Sequence, residues 1–292
     1  MRSYSIAILL NIPADDSGLL ETVAALRQQV TLAAIYWYGH GLEDGTRLAL
    51  QKLDVTIRHD DSGCRYKTVR RMFTEVDADV FVYVGHSGYP AEMAPSMIHQ
   101  LIEARKDMVA AVAEASHSKL NQDYRSLCTG LFGRSLLCPL SDYRVFSRRF
   151  VKSFAVFERG LPVELEWSMH ALELDIPYVE MPADADKAEA LCHHHRTAPA
   201  SGRHLLTRVI INLQARPLKW FGLMTALFLV LASVAKMLYL FPEHLDQSIG
   251  TASMTTFTIL AFSSAVSGVL FHAQSHTRRE LKRLHFQQHS TL

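Results

Sequence analysis

Short apolar runs of strand length recur through the first two-thirds of the chain, and between them apolar positions fall at helical spacing. The runs are Ser5–Asn11 (SIAILLN), Thr31–Tyr38 (TLAAIYWY), Leu53–Ile57 (LDVTI), Asp79–Val84 (DVFVYV) and Asp107–Ala113 (DMVAAVA). Leu19, Leu20, Val23 and Leu26 share one helix face, as do Met93, Met97, Ile98 and Leu101. This alternation predicts an α/β domain over residues 1–200, a mostly parallel sheet with helices on both faces. Ligands in such sheets sit beyond the carboxyl ends of the strands, so loops 11–17, 39–45, 58–67 and 85–90 should share one rim.

Further on the pattern changes. Residues 220–241 (WFGLMTALFLVLASVAKMLYLF) and 251–273 (TASMTTFTILAFSSAVSGVLFHA) are each long enough to cross a bilayer, which takes about 20 residues. Lys236 lies close enough to the end of the first to snorkel. Arg203, Arg208, Arg216 and Lys219 precede the first span, and Arg278, Arg279, Lys282 and Arg283 follow the second. The connecting loop 242–250 holds Glu243 and Asp246 and no Lys or Arg. The positive-inside rule therefore puts the α/β domain and the basic tail 274–292 in the cytoplasm and the loop outside, making this an integral protein of the inner (cytoplasmic) membrane. Between domain and membrane, residues 201–219 carry Leu205, Leu206, Val209, Ile210 and Leu213 at helical spacing among arginines, the pattern of an amphipathic helix lying in the interface. Small residues in SSAVSG (263–268) suit close helix packing, either within the chain or in a homo-oligomer.

Charge excludes some partners. Thirty Lys and Arg against 29 Asp and Glu leave a net +1, which gives no global attraction to nucleic acid. Cys64, Cys128, Cys138 and Cys192 form no C-x-x-C pair and fit reduced thiols facing the cytosol. Cys192 and the three histidines after it are too close in sequence to converge on one ion.

The loop after DVFVYV is where α/β nucleotide-using proteins usually keep their chemistry, yet residues 85–90 (GHSGYP) contain no carboxylate. Asp77 and Asp79 do not fill the gap, because they precede the strand and belong at the opposite end of the sheet.

A parallel α/β domain, a basic amphipathic helix and two spans together resemble the membrane-anchored family 2 glycosyltransferases that make polyisoprenyl-phosphate sugars, relatives of dolichyl-phosphate mannose synthase. That resemblance implies a glycosyltransferase A-type nucleotide-sugar-binding domain. In ILLNIPADDSGLLETVAAL, Asp15 and Asp16 stand where the family has Asn-Glu; in IYWYGHGLEDGT, Asp44, Gly45 and Thr46 are kept while Gly39 and His40 replace paired aspartates. The stretch DYRVFSRR looks like the family's Phe-Arg-Leu-x-x-Arg segment, and Arg196, Ser201 and Arg203 look like its Arg-x-x-Gly-x-Ser-Lys run, with Pro199 at the glycine. Matching Pro90 and Glu92 to the family's fourth-strand motif puts Val84 and His86 at the metal-binding aspartates and Tyr89 at a third. The resemblance thus implies donor contacts from Asp15, Asp16, His40, Asp44, Arg65 and Lys67, and acceptor-phosphate contacts from Arg144, Arg148, Ser201 and Arg203. His86 and Arg196 are the implied catalytic groups, with Arg149 near the acceptor and Glu164 and Glu166 in an acidic position beside it.

Transfer from a nucleotide sugar to a lipid phosphate needs no strong base, because the acceptor is already ionised. Its difficulty is the charge growing on the departing nucleoside diphosphate, normally met by Mg²⁺ or Mn²⁺ held by carboxylates. One imidazole from His86 is a poor exchange for two carboxylates. The sequence leaves two readings. In one, His86, Arg65, Lys67 and Arg196 replace the metal in an enzyme that feeds cell-envelope glycan or lipid modification, with a polyprenyl phosphate as acceptor and no cofactor. In the other, the chain is a catalytically inactive pseudo-glycosyltransferase that binds a partner protein in envelope glycan assembly.

Overall fold

The computed structural model describes residues 4–112, 119–154, 162–183, 216–240 and 247–288. The five sequence-predicted strands form β1 (Ile6–Leu10), β2 (Ala34–Gly39), β3 (Val55–His59), β4 (Val80–Val84) and β5 (Met108–Val112). Two more, β6 (Tyr143–Ser147) and β7 (Tyr178–Pro182), complete a sheet of order β3-β2-β1-β4-β6-β5-β7. All strands run parallel except β6, which lies antiparallel between β4 and β5. Helices α1 (Leu19–Gln29), α2 (Asp44–Lys52), α3 (Arg65–Glu75), α4 (Met93–Glu103), α5 (Lys119–Phe132), α6 (Arg148–Ser153) and α7 (Val163–Glu173) belong to the same unit.

Strand alternation divides the core into two chemistries. Val80, Val82 and Val84 face an aliphatic layer with Ile8, Leu10, Val145 and the apolar stripes of α1 and α4. Phe81 and Tyr83 face the other way, into an aromatic layer with Phe73, Phe146, Phe150 and Trp167. Both layers are buried, which is why β4 and β5 read as near-continuous apolar runs, while β6 is equally buried although it carries Arg144 and Ser147. Edge strand β3 is largely exposed.

The insertion of β6 determines the site. In an antiparallel strand between parallel neighbours, the leading residue arrives at the rim where the others end. Tyr143 pairs with Val84, so the residue before it, Asp142, lies at the carboxyl end of β4. At the other end Ser147 pairs with Val80, and Arg148 and Arg149 fall beside Asp77 and Asp107. Ser147 caps α6 by accepting a hydrogen bond from the Phe150 amide.

The second unit, residues 200–280, contains most of two long helices: α8 (Pro217–Leu240) and α9 (Gln247–Gln288). Both are long and apolar enough to cross a membrane, with mean hydropathy 1.9 and 1.6 over their apolar segments. Helix α9 continues through residues 274–288, so the basic stretch after the apolar segment is helical. The expected amphipathic helix lies outside the described residues apart from its end at Arg216–Lys219.

Candidate functional site

Four elements converge at the carboxyl end of β4. Helix α3 opens with Arg65, whose Nη2 donates to Asp142 Oδ2 at 2.8 Å. His86, just past β4, places Nε2 3.0 Å from the same oxygen. Tyr89 donates its hydroxyl to Asp142 Oδ1. From α7, Glu164 brings Oε1 to 3.2 Å from Arg65 Nε, and that nitrogen also donates to Tyr83 Oη at 3.2 Å. Asn11, past the end of β1, donates to the same Tyr83 oxygen at 3.1 Å.

Gly85 makes this convergence sterically feasible. A Cβ at that position would overlap Arg65 Nη2 and the Asp142 carboxylate, so the residue just past β4 must be glycine for the two side chains to close over it.

Burial governs the electrostatics. Asp142 is 1% exposed, which opposes its ionisation, but the His86 hydrogen bond, the Arg65 charge and the Tyr89 hydroxyl outweigh burial and hold the carboxyl well below the usual carboxylate range. Burial and the adjacent Asp142 charge push the Tyr89 phenol well above its ordinary value. Asp142 is therefore an ionised acceptor and Tyr89 a donor throughout the neutral range.

Several predicted residues lie on this rim outside the cluster. Asp16 accepts from Ser87 Oγ and from the Gly18 amide, tying the loop after β1 to the loop after β4. Asp15, His40, Asp44 and Lys67 are exposed, with Asp44 in the first turn of α2 and Lys67 in that of α3. Gly39 has its own packing reason, since a Cβ there would lie 2.6 Å from the Trp37 indole.

The acceptor-side residues are placed otherwise. Arg144 lies in the core, 0% exposed, where it donates to the Ser141 and Pro139 carbonyls and to Ser168 Oγ, and stacks over Trp167. Arg148 pairs with Asp77 at the amino ends of the parallel strands, away from the rim. Arg149 pairs there with Asp107. Neither Arg144 nor Arg148 is placed to meet a phosphate at the rim. Arg196, Ser201 and Arg203 lie outside the described residues, as do Cys192 and the histidines after it. Among the described residues, no three His, Cys, Asp or Glu side chains group to hold a metal ion.

Asp142 is the residue that reading the loop in isolation missed. The loop after β4 lacks a carboxylate because β6 delivers one to it. The available signal was an aspartate just ahead of the strand-length segment YRVFS, but its importance depends on strand direction, which periodicity does not encode.

The strand order and the antiparallel β6 make this an α/β domain of glycosyltransferase A-like fold with a mixed, mostly parallel sheet, followed by two long apolar helices. The chain belongs to the same family as an uncharacterised protein of Shigella flexneri, with 33% identity over 156 residues that cover 50% of this chain and 93% of that one. Protein RfbJ of the same organism is 29% identical over 109 residues, covering 37% of this chain and 84% of its own. No protein-family model matches the chain. Among solved structures, glucosyl-3-phosphoglycerate synthase from Mycobacterium tuberculosis with Mn²⁺, uridine diphosphate and phosphoglyceric acid superposes with a TM-score of 0.49 at 16% identity, covering 68% of this chain and 81% of that one. The same enzyme with Mn²⁺ and uridine-diphosphate-glucose gives 0.47 at 16% identity, covering 72% and 77%. Such a likeness is too loose to carry site residues across.

Proposed function

We propose that this protein is a membrane-anchored glycosyltransferase that takes a nucleotide sugar at the rim of β1–β4 and passes the sugar to a polyprenyl phosphate at the cytoplasmic face of the membrane. The observation that carries the reading is the preorganised Arg65–His86–Asp142 cluster at the carboxyl end of β4, where open α/β sheets bind ligands. Two helices of membrane-spanning length and composition in the same chain support a lipid acceptor. In the reaction an acceptor phosphate oxygen attacks the anomeric carbon, the bond from that carbon to the donor's diphosphate oxygen breaks, and the nucleoside diphosphate departs with the electron pair. No proton need be removed from an ionised acceptor, so the protein's task is to orient the sugar and offset charge on the leaving group. Incubating the detergent-solubilised protein with undecaprenyl phosphate and a panel of nucleotide sugars, followed by mass spectrometry of the lipid fraction, tests this. A glycosylated lipid phosphate supports it, and an unchanged lipid with every donor refutes it.

One observation favours a second reading. Asp142 and Glu164 together offset the Arg65 charge that a leaving diphosphate would need. A catalytically silent scaffold for another envelope-assembly protein fits that balance. Stoichiometric recovery of one partner with the solubilised protein, alongside unchanged lipid phosphate, would select it.

A further inference from the structure

The resemblance to metal-using transferases implies a divalent cation at the carboxyl end of β4, and the donor set found there does not fit one. A hard cation needs carboxylate oxygens with free lone pairs turned toward it. Asp142 already accepts from Arg65 and His86 on one oxygen and from Tyr89 on the other. Between Asp142 and Glu164 lies the Nε–Nη2 edge of a guanidinium, 2.8 Å from one carboxylate and 3.2 Å from the other. A metal bridging these two carboxylates would have to expel Arg65.

We infer that the Arg65 guanidinium is the resident cation of this rim, standing where a divalent metal would otherwise bridge protein carboxylates and a diphosphate, and that its outer edge receives the donor's diphosphate. This deepens the glycosyltransferase reading above and rests on it. Three neighbours fix the guanidinium: Tyr83, Asp142 and Glu164. Its Nη1 makes no hydrogen bond among the described residues, and 33% of the side chain is exposed, so the free edge faces solvent. Guanidinium N–H groups give short charge-assisted bonds to phosphate oxygens, and a group already locked in place pays little reorganisation when the anion arrives. Burial opposes the Arg65 charge, but Glu164, Tyr83 and Asp142 outweigh it and keep the group protonated. The two carboxylates therefore act on Arg65 as metal ligands act on a metal, holding a cation that would otherwise be costly to keep half-buried.

The test is calorimetric titration of the full-length protein in detergent with uridine, guanosine, adenosine and cytidine diphosphates, each with Mn²⁺ and with EDTA. At least one should bind with the same affinity in both conditions, and Arg65→Gln should weaken it by about tenfold or more. Binding that appears only with Mn²⁺ would overturn the resident-cation inference and leave the transferase reading standing. Binding by Arg65→Gln within twofold of the parent would overturn it equally. No binding of any nucleotide in either condition would bring down the transferase reading and the inference with it. The EDTA comparison needs no variant, so it decides even where Arg65→Gln fails to fold.

Discussion

Arg65 and Asp142 lie 77 positions apart in the chain and meet at 2.8 Å directly over Gly85. The pair joins the start of α3 to the leading end of β6 across the residue that follows β4, so three separate segments must come together for it to form. Gly85→Ala should break it. A methyl group there forces Arg65 and the buried Asp142 apart, with an expected loss of about 1–3 kcal/mol from overpacking alone. Thermal unfolding of the variant in detergent measures this. An unchanged midpoint would mean that the two side chains do not close over residue 85.

Arg144 is expected to behave as a core residue. Its guanidinium, drawn down by burial to about 10, satisfies two carbonyls and the Ser168 hydroxyl beneath Trp167. Arg144→Ala removes the donor to the Ser141 carbonyl and one of the two donors to the Pro139 carbonyl, which Ser168 Oγ also serves, and empties a large buried site, so it should cost about 3–5 kcal/mol. Denaturant unfolding followed by Trp fluorescence provides the measurement. A variant with native stability but no lipid-linked product would instead restore the acceptor-phosphate role that the DYRVFSRR resemblance implies.

Strands β1 to β5 and helices α1 and α4 were legible because each is a local pattern, a run of apolar residues or a stripe at helical spacing. The rim was legible too, since parallel strands put their carboxyl ends together whatever their order. What local patterns could not reveal was the direction of β6. Tyr143–Ser147 contains Arg144 and reads as a polar-interrupted segment, and only its antiparallel place between β4 and β5 sends Asp142 to the rim and Arg148 to the far end. Arg144 misled for a related reason. A charged residue in an apolar run suggests a solvent-facing role, whereas this one is spent on carbonyls within the fold.

Acid should destabilise the domain through His170. Burial, and after it the charge of Lys282, pull this imidazole down to about 3, while in the unfolded chain it titrates near its ordinary 6.5. The ring is 2% exposed, packs edge-on against Phe150 and Phe154 and meets Ser153 Oγ at 3.1 Å. As pH falls below 6.5 the unfolded chain takes up a proton that the folded domain refuses, so stability drops by up to about 1.4 kcal/mol per pH unit until about pH 3. Asp142 contributes with the same sign but lower down: its stabilisation is fully present above about 3.9, the unfolded value, and fades as pH falls through its depressed folded value. The window from about pH 4.5 to 6.5 therefore lies within the His170 interval and above that of Asp142. Denaturant midpoints across that window should fall steeply for the native chain and much less for His170→Phe, which keeps the ring contacts. Equal slopes would refute the assignment.

The small residues 263–268 left open whether they pair helices within the chain or between copies, and the structure uses them within the chain. Ser264 Oγ donates to the Phe221 carbonyl at 3.1 Å, the Phe221 and Phe271 rings stack 5.4 Å apart, and a Cβ on Gly268 would lie 2.8 Å from Phe221 Cβ. With lipid tails as apolar as the side chains, helices in a bilayer associate by such close approach rather than by hydrophobic exclusion. Gly268→Leu should therefore pry α8 from α9 at a cost of about 1–3 kcal/mol, leaving the separate α/β unit intact. Cysteines placed at Thr225 and Ser264 would report the splaying as slower disulfide formation in detergent, while the acid transition set by His170 stays where it was. Unaltered cross-linking would mean that the hairpin does not rely on the Gly268 contact, and the small residues would then be free to pair one copy with another.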